Sequence, residues 1–345
     1  MENEPHREIT IYDIAEQLNI SAATVSRGLN NSPLVSKRTR DKIHKIAKEM
    51  GYRPNAIASN LRRQRSKTIG ILLHELHSNF VVSVLAGIEK ITTSEQYDLL
   101  ITHSNEEYLR EIANTKNLLN KRIDGLMVSL SLDTKNIDHF MPFFERNIPV
   151  VFFDRVPGES PCIKVVIDNL KCGYDATEHL IKQGCKRIAH ITADLNRNVY
   201  NDRFEGYKNA LKKHRLAFDK DLVEICDLGK DATRNAVKKL LKQKPDAFFI
   251  TNDFAAAVCI EMLGQQGIKV PQDIAVFGFN NDAICELITP KLSTIDYPGV
   301  TMGELAAQEL IMQIKLQDAH KNAPIKTILV PTSTIIRSSS LKSGR

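Results

Sequence analysis

The chain has 345 residues, too many for one small domain, and 42% of them are apolar, enough for a sizeable core. No apolar run reaches the roughly eighteen residues of a membrane span, the charged start Met1–Glu8 lacks a signal core, and six scattered cysteines without a CxxC pair argue for reduced cytoplasmic thiols and against a disulfide or metal framework. The net charge of +6 sits in residues 1–67, where thirteen Lys and Arg face seven Asp and Glu, which points to a nucleic-acid-binding end on a balanced body; a merely solvated basic face is the alternative.

Residues 10–29 predict two short helices around a tight turn. Ile11, Ile14, Ala15 and Leu18 form one apolar face, and Thr10 with Asp13 reads as a capping box. Asn19 tolerates the left-handed exit, and Ser21 caps a second helix whose inward residues are Val25 and Leu29. Ala15 is small where the helices cross. The outward face begins Ala22, Ala23 and carries Ser26 and Arg27; small side chains let a helix sit deep in a major groove, and Arg can pair with a guanine edge. An ordinary helical hairpin is the plain alternative. Asn30–Pro33 is a loop, and Ser36 caps a third helix to about Met50, with Ile43, Ile46, Ala47 and Met50 inward and six basic residues elsewhere for phosphates. Gly51 and Pro54 end it, and the three helices make a compact helix-turn-helix unit.

Residues 55–67 read as a linker. Asn55 could cap one or two turns through Leu61, too short to hold alone, so that it folds when a partner chain or DNA supports it. Leu61, beside Arg62, Arg63 and Arg65, either wedges into a minor groove or packs on the adjoining domain. From Thr68 apolar runs alternate with helical stripes. Strands are expected at 68–73, 97–102, 123–129 and 149–153, with helices at 80–94, 107–121 and 136–146. After Gly158 the series repeats, with strands at 163–167, 187–192, 222–226, 246–251 and 274–279 and helices near 170–183, 202–214, 232–243 and 255–267. Repeated βα units imply two Rossmann-like parallel-sheet subdomains. Residues 292–296, a helix at 303–316 and 325–336 let the chain return and cross again. The expected division is a helix-turn-helix domain at 1–54, a hinge at 55–67, an N-subdomain at 68–158 with 296–323, and a C-subdomain at 159–295 with 324–345.

Thr-Ile-Tyr-Asp-Ile-Ala from residue 10, Val-Ser-Arg-Gly-Leu-Asn from 25 and Gly-Tyr-Arg-Pro-Asn-Ala-Ile-Ala-Ser-Asn-Leu from 51 resemble the head and hinge of the lactose-repressor/galactose-repressor family. Asp-Gly-Leu-Met-Val at 124–128, Phe-Phe-Asp-Arg at 152–155, Arg-Phe-Glu-Gly-Tyr at 203–207, Thr-Asn-Asp at 251–253 and Val-Pro-Gln-Asp-Ile-Ala-Val-Phe-Gly-Phe-Asn at 270–280 extend the resemblance over essentially the whole chain. It implies a small all-α helix-turn-helix head on an α/β periplasmic-binding-protein-like body. It implies a transcriptional regulator, usually a repressor, that binds a pseudo-palindromic double-stranded operator as a homodimer and answers to a small effector, a sugar or sugar derivative, in the cleft between subdomains.

By matching positions, DNA contacts would come from Thr10, Tyr12, Ser21, Ala22, Ala23, Thr24, Ser26, Arg27, Asn30, Asn55, Ala58, Leu61 and Arg62, with Ala22, Ala23 and Arg27 toward bases and Leu61 as the minor-groove wedge. Ser21, Thr24 and Ser26 would reach phosphates or simply cap and pack. The effector cleft would include Phe80, Asp154, Arg203, Asn252, Asp253 and Asn280. Asp, Asn and Arg can pair with sugar hydroxyls while an aromatic ring stacks on the apolar face; a structural ion pair for Arg203, a helix cap for Asp253 and a core place for Phe80 are the plain alternatives. Asn280 stands where many relatives have Asp, and Gly28, which costs its helix up to about 1 kcal/mol relative to Ala, reads as allowing close approach to DNA. No leucine heptad tail follows, so a dimer is expected rather than a tetramer. No cofactor, metal or catalytic role is expected. An enzyme on a doubly wound body is the rival reading, and it lacks a G-x-G-x-x-G, Walker or G-x-S-x-G motif. A DNA-binding structural protein without an effector is the third.

Overall fold

The computed structural model describes residues 9–52, 65–158, 160, 162–319 and 324–342. The chain forms two units, residues 1–66 and 67–345. The expected hinge, with Asn55, Ala58, Leu61 and Arg62, lies outside the described residues.

In the head, α1 (Ile11–Leu18), α2 (Ala22–Leu29) and α3 (Lys37–Glu49) enclose Ile14, Ala15, Val25, Val35, Ile43 and Ala47. The termini follow local chemistry. The Thr10 N–H and hydroxyl both donate to Asp13 Oδ2 at 2.7 Å, Asn19 leaves α1 at φ 52°, and Ser21 and Ser36 accept from the amides of Thr24 and Thr39 at 3.2 Å. Two expectations change here. Ser26 is only 8% exposed, so it packs within the head rather than on the outward face. Gly28 is also buried: a Cβ on it would strike Ile43 Cδ1. This glycine serves the contact of α2 with α3, not an approach to DNA.

Among the described residues the body holds two parallel sheets. The first has the order β11-β5-β4-β3-β1-β2, built from β1 (Thr68–Leu73), β2 (Asp98–His103), β3 (Gly125–Val128), β4 (Val150–Phe153), β5 (Ile163–Val166) and β11 (Thr327–Leu329). The second has the order β7-β6-β8-β9, built from β6 (Ile188–Thr192), β7 (Val223–Ile225), β8 (Ala247–Ile250) and β9 (Ala275–Phe277). A short antiparallel pair, β10 (Thr294–Asp296) with β12 (Ser333–Ile335), lies beside β9 through the bridge Phe277–Ser293. Near-continuous apolar runs such as Ile71–Leu73 and Val150–Phe153 are buried throughout, as strands covered on both faces must be.

Helices α4 (Asn79–Ser94), α5 (Tyr108–Asn120) and α6 (Met141–Glu145) follow β1, β2 and β3. Helices α7 (Asn169–Lys182), α8 (Asn198–Lys213), α9 (Lys230–Leu241), α10 (Asp253–Gln265) and α11 (Ile284–Leu287) belong to the second lobe, and α12 (Gly299–Asp318) returns to pack on α4 and the first sheet. The chain therefore passes between lobes at 166–169, 296–299 and 329–333. Here the structure departs from the expected division. β5, read as opening the second subdomain, pairs with β4 at Val151–Ile163, and β11, read with the second subdomain, pairs with β5 at Ile328–Val165. The segment 325–336 is broken at Pro331, which has no N–H for a ladder, and its halves join different sheets. The helix expected at 136–146 divides into a 3₁₀ turn at Asp138–Phe140 and α6. Among the described residues no helix is long and apolar enough to cross a membrane.

His190, central in β6, is fully buried between Tyr207 and Phe249, donates Nδ1–H to the Phe249 carbonyl at 3.0 Å and leaves Nε2 without a partner. Burial pushes its pKa down to about 3 from 6.5. Between those values the unfolded chain binds a proton that the folded chain refuses. Stability from this residue is complete above about pH 6.5 and falls by up to about 1.4 kcal/mol per pH unit below it. The urea midpoint should drop between pH 7 and pH 5, and His190→Phe should flatten that drop; an unchanged slope would exclude His190 as its source.

Candidate effector cleft

Both sheets turn their carboxyl ends toward one cleft, the place where open parallel sheets bind ligands. His74 and Glu75 follow β1, Asp154 and Arg155 follow β4, Thr251 and Asn252 follow β8, and Tyr297 follows β10; Phe80 enters from α4, and Tyr200 and Arg203 from α8. Together with Ser78, Val199 and Asn280 they line this one cleft. Five of the six residues expected there, Phe80, Asp154, Arg203, Asn252 and Asn280, line it. The sixth does not. Asp253 is 0% exposed, and its carboxylate accepts from the Asp282 amide at 2.9 Å and the Thr294 hydroxyl at 2.8 Å. Burial pushes its pKa up, and its task is to tie α10 to the segment after β9.

The lining is held rigidly. Arg203 is 3% exposed; its Nε donates to Asn169 Oδ1 at 2.8 Å, its Nη1 to the Thr251 carbonyl at 3.2 Å, and its plane lies 3.6 Å from the Phe279 ring centre. These bonds fix the guanidinium before any ligand arrives. Asp154 Oδ1 accepts from the Tyr297 hydroxyl at 2.6 Å and Oδ2 from Ser129 at 3.2 Å. Burial, then the Asp154 charge, pushes the Tyr297 pKa well above the usual tyrosine value, so the phenol remains a donor. Tyr297 stacks on Phe80 at 4.1 Å, which presents an aromatic floor. Asn252 caps α10 by accepting from the Ala255 amide at 3.1 Å. Asp154 at φ 58° and Asn280 at φ 125° adopt backbone conformations that few non-glycine residues take, strain of the kind retained at working sites.

Polar bonds join the lobes at the cleft rim. Arg155 Nη1 donates to both oxygens of Glu106 at 2.7 and 2.9 Å, while its Nη2 donates across the cleft to the Tyr200 hydroxyl at 3.2 Å. Arg197 donates to the Thr134 carbonyl at 2.6 Å, and Asn198 bonds the Asp154 carbonyl and the Val156 amide, each at 3.0 Å. Sequence reasoning missed Arg155, Tyr200, Tyr297, His74 and Glu75. Arg155 stands beside Asp154 in an already noted motif, and Tyr200 precedes Arg203 by one helical turn; Tyr297 carried no local signal.

In the head, Tyr12 is 71% exposed, and Ala23, Arg27, Asn30 and most of the basic residues of α3 are exposed too. Ser21, also exposed, holds the Thr24 amide and hydroxyl, and Thr10, Ala22 and Thr24 are half-buried.

Residues 10–55 match the profile of bacterial regulatory proteins of the lacI family, and residues 177–340 that of a periplasmic binding protein-like domain. The chain is 32% identical over 333 residues to the NTD biosynthesis operon regulator NtdR of Bacillus subtilis, covering 96% of this chain and 99% of that one. It is 30% identical over 332 residues to the ribose operon repressor of Haemophilus influenzae, covering 96% and 98%. The crystal structure of the lac repressor dimer bound to operator and the anti-inducer ONPF superposes with a TM-score of 0.84 over 97% of this chain and 100% of that one, at 23% identity, and speaks for the fold. The chain belongs to the lacI family of bacterial regulatory proteins, transcription regulators that join a helix-turn-helix DNA-binding head to a periplasmic-binding-protein-like body.

Proposed function

We propose that this regulator is a cytoplasmic repressor that binds a pseudo-palindromic operator as a homodimer, with α2 in the major groove, and that a carbohydrate effector in the cleft sets its operator affinity. The cleft carries the reading: a fixed guanidinium, a carboxylate and two amides face one another beside a stacked aromatic pair, the set that recognises a ring with hydroxyls on its edge and an apolar face. The names of the ribose operon repressor and the lac repressor accord with it. Effector closes the lobes at the rim formed by Arg155, Arg197 and Asn198, and this differential affinity shifts the dimer between operator-binding and released states. Arg27 reads bases; Thr10, Tyr12, Ser21, Thr24, Asn30 and the α3 lysines hold phosphates; Ala22 and Ala23 allow close docking.

Operators selected from random duplex DNA test the head. Arg27→Ala should relax selection at one base pair per half-site, costing about 1–3 kcal/mol for the bidentate pairing it removes. Unchanged base preference would remove Arg27 from readout. Thermal unfolding against sugars, sugar phosphates, sugar acids and nucleobases tests the cleft: a saturable rise in midpoint should appear with a carbohydrate. Operator titration with that compound then gives the sign of regulation. A rise with a nucleobase alone would overturn the carbohydrate reading.

A further inference from the structure

The wall of the cleft that follows β1 and β4 offers acceptors. Ser129 has one hydroxyl hydrogen and gives it to Asp154 Oδ2 at 3.2 Å. His74 Nδ1, 3.0 Å from the Ser129 oxygen, must therefore carry the hydrogen of that bond. Burial, aided by Arg155, lowers the His74 pKa well below the usual histidine value, so the ring is neutral and Nε2 is a bare lone pair. Nε2 lies 3.9 Å from Glu75 Oε1, and both residues line the cleft. Asp154 lines the same cleft, its two oxygens accepting from Tyr297 and Ser129. The local cation is Arg155, whose Nη1 donates to Glu106 and whose Nη2 donates to Tyr200.

We propose that the effector presents a protonated primary amine to this wall, between His74 Nε2 and Glu75, so that the cleft selects an amino sugar over its neutral parent. The inference rests on the carbohydrate reading above and narrows it. A hydroxyl has one hydrogen and can serve one of these acceptors, leaving its own lone pairs against the others. An ammonium has three hydrogens and no lone pair, and can serve His74 and Glu75 together. The charges agree with this. Arg155 neutralises Glu106 directly, whereas Glu75, half-buried, feels the charges of Arg155 and His77 and those of the Glu106 and Asp154 carboxylates. Burial raises the Glu75 pKa, and a cation bound beside it would favour the charged carboxylate.

The test is calorimetric titration at neutral pH with glucosamine, galactosamine, mannosamine and 3-amino-3-deoxyglucose beside glucose, galactose and mannose. Wild type, Glu75→Gln and Arg203→Ala are compared, and unliganded melting midpoints report that each variant folds. At least one amino sugar should bind wild type at least tenfold more tightly than its parent. Glu75→Gln should bring that ratio to within twofold. A parent that binds as tightly as its amino counterpart, or a preference that survives Glu75→Gln, overturns the amine while the carbohydrate reading stands. If no sugar of either kind gives binding that Arg203→Ala weakens, the carbohydrate reading itself fails, and the amine with it.

Discussion

Gly173→Ala should destabilise the body and weaken the effector response together. Gly173 on α7 and Gly206 on α8 let the two helices touch backbone to backbone. A Cβ on Gly173 would land on the Arg203 carbonyl oxygen and within 2.8 Å of Arg203 Cα; one on Gly206 would land on the Leu170 carbonyl and within 2.6 Å of the Tyr174 nitrogen. Backbone atoms cannot rotate aside as a side-chain tip can, so α8 must move. Overpacking of this kind costs about 1–3 kcal/mol, more than the helix propensity of at most about 1 kcal/mol that alanine restores. Because α8 carries both Tyr200 and Arg203, the shift should also cost effector affinity about tenfold or more, as displacement of a positioned group does. Gly264→Ala is the control. Nothing lies within 4 Å of its added Cβ, so it should be neutral or slightly stabilising. Denaturant midpoints with and without effector measure both effects, and a Gly173→Ala protein as stable and responsive as wild type would refute the close backbone approach.

Arg203→Ala should uncouple operator binding from the effector. The substitution strips Asn169 Oδ1 and the Thr251 carbonyl of a buried donor, about 1–3 kcal/mol for each group left unpaired. On the proposed effector site it would also remove charge-assisted bonds to the ligand, each of about 1.5–3 kcal/mol, so effector affinity should fall by about tenfold or more for each such bond. Operator affinities with and without effector should then converge, whichever state the effector favours. Arg203→Lys should not restore the response. A lysine ammonium cannot donate to Asn169 and Thr251 from fixed angles while lying flat on Phe279. An operator titration in which the lysine variant answers to effector as wild type does would show that only the charge matters.

Much of the head could be read from the chain because its instructions are local. The Thr10–Asp13 pairing, the left-handed Asn19 and the Ser21 and Ser36 caps each involve residues within three or four positions. Gly28 resisted such reading because its place depends on where α3 lies, and Ile43 is fifteen residues beyond it. The alternating units of the body were visible for the same reason as the head: apolar runs and amphipathic stripes announce strands and helices wherever they fall.

Sequence by itself therefore determined the element types, the order of head and body, the parallel character of the sheets and, through the family resemblance, five residues of the cleft. Tertiary structure alone decided which sheet received each strand and which way each polar side chain turned. A strand's own residues bury equally well in either sheet, so β5 and β11 were assigned only by their ladders to β4 and to each other. Asn252 and Asp253 are neighbours in sequence, yet one lines the cleft and the other is buried in the core, because the chain passes from the extended cap at Asn252 into helix at Asp253. Tyr297 meets Asp154 across 143 positions of chain. No pattern within a window of sequence encodes a hydrogen bond that exists only once the chain has passed between the lobes and returned.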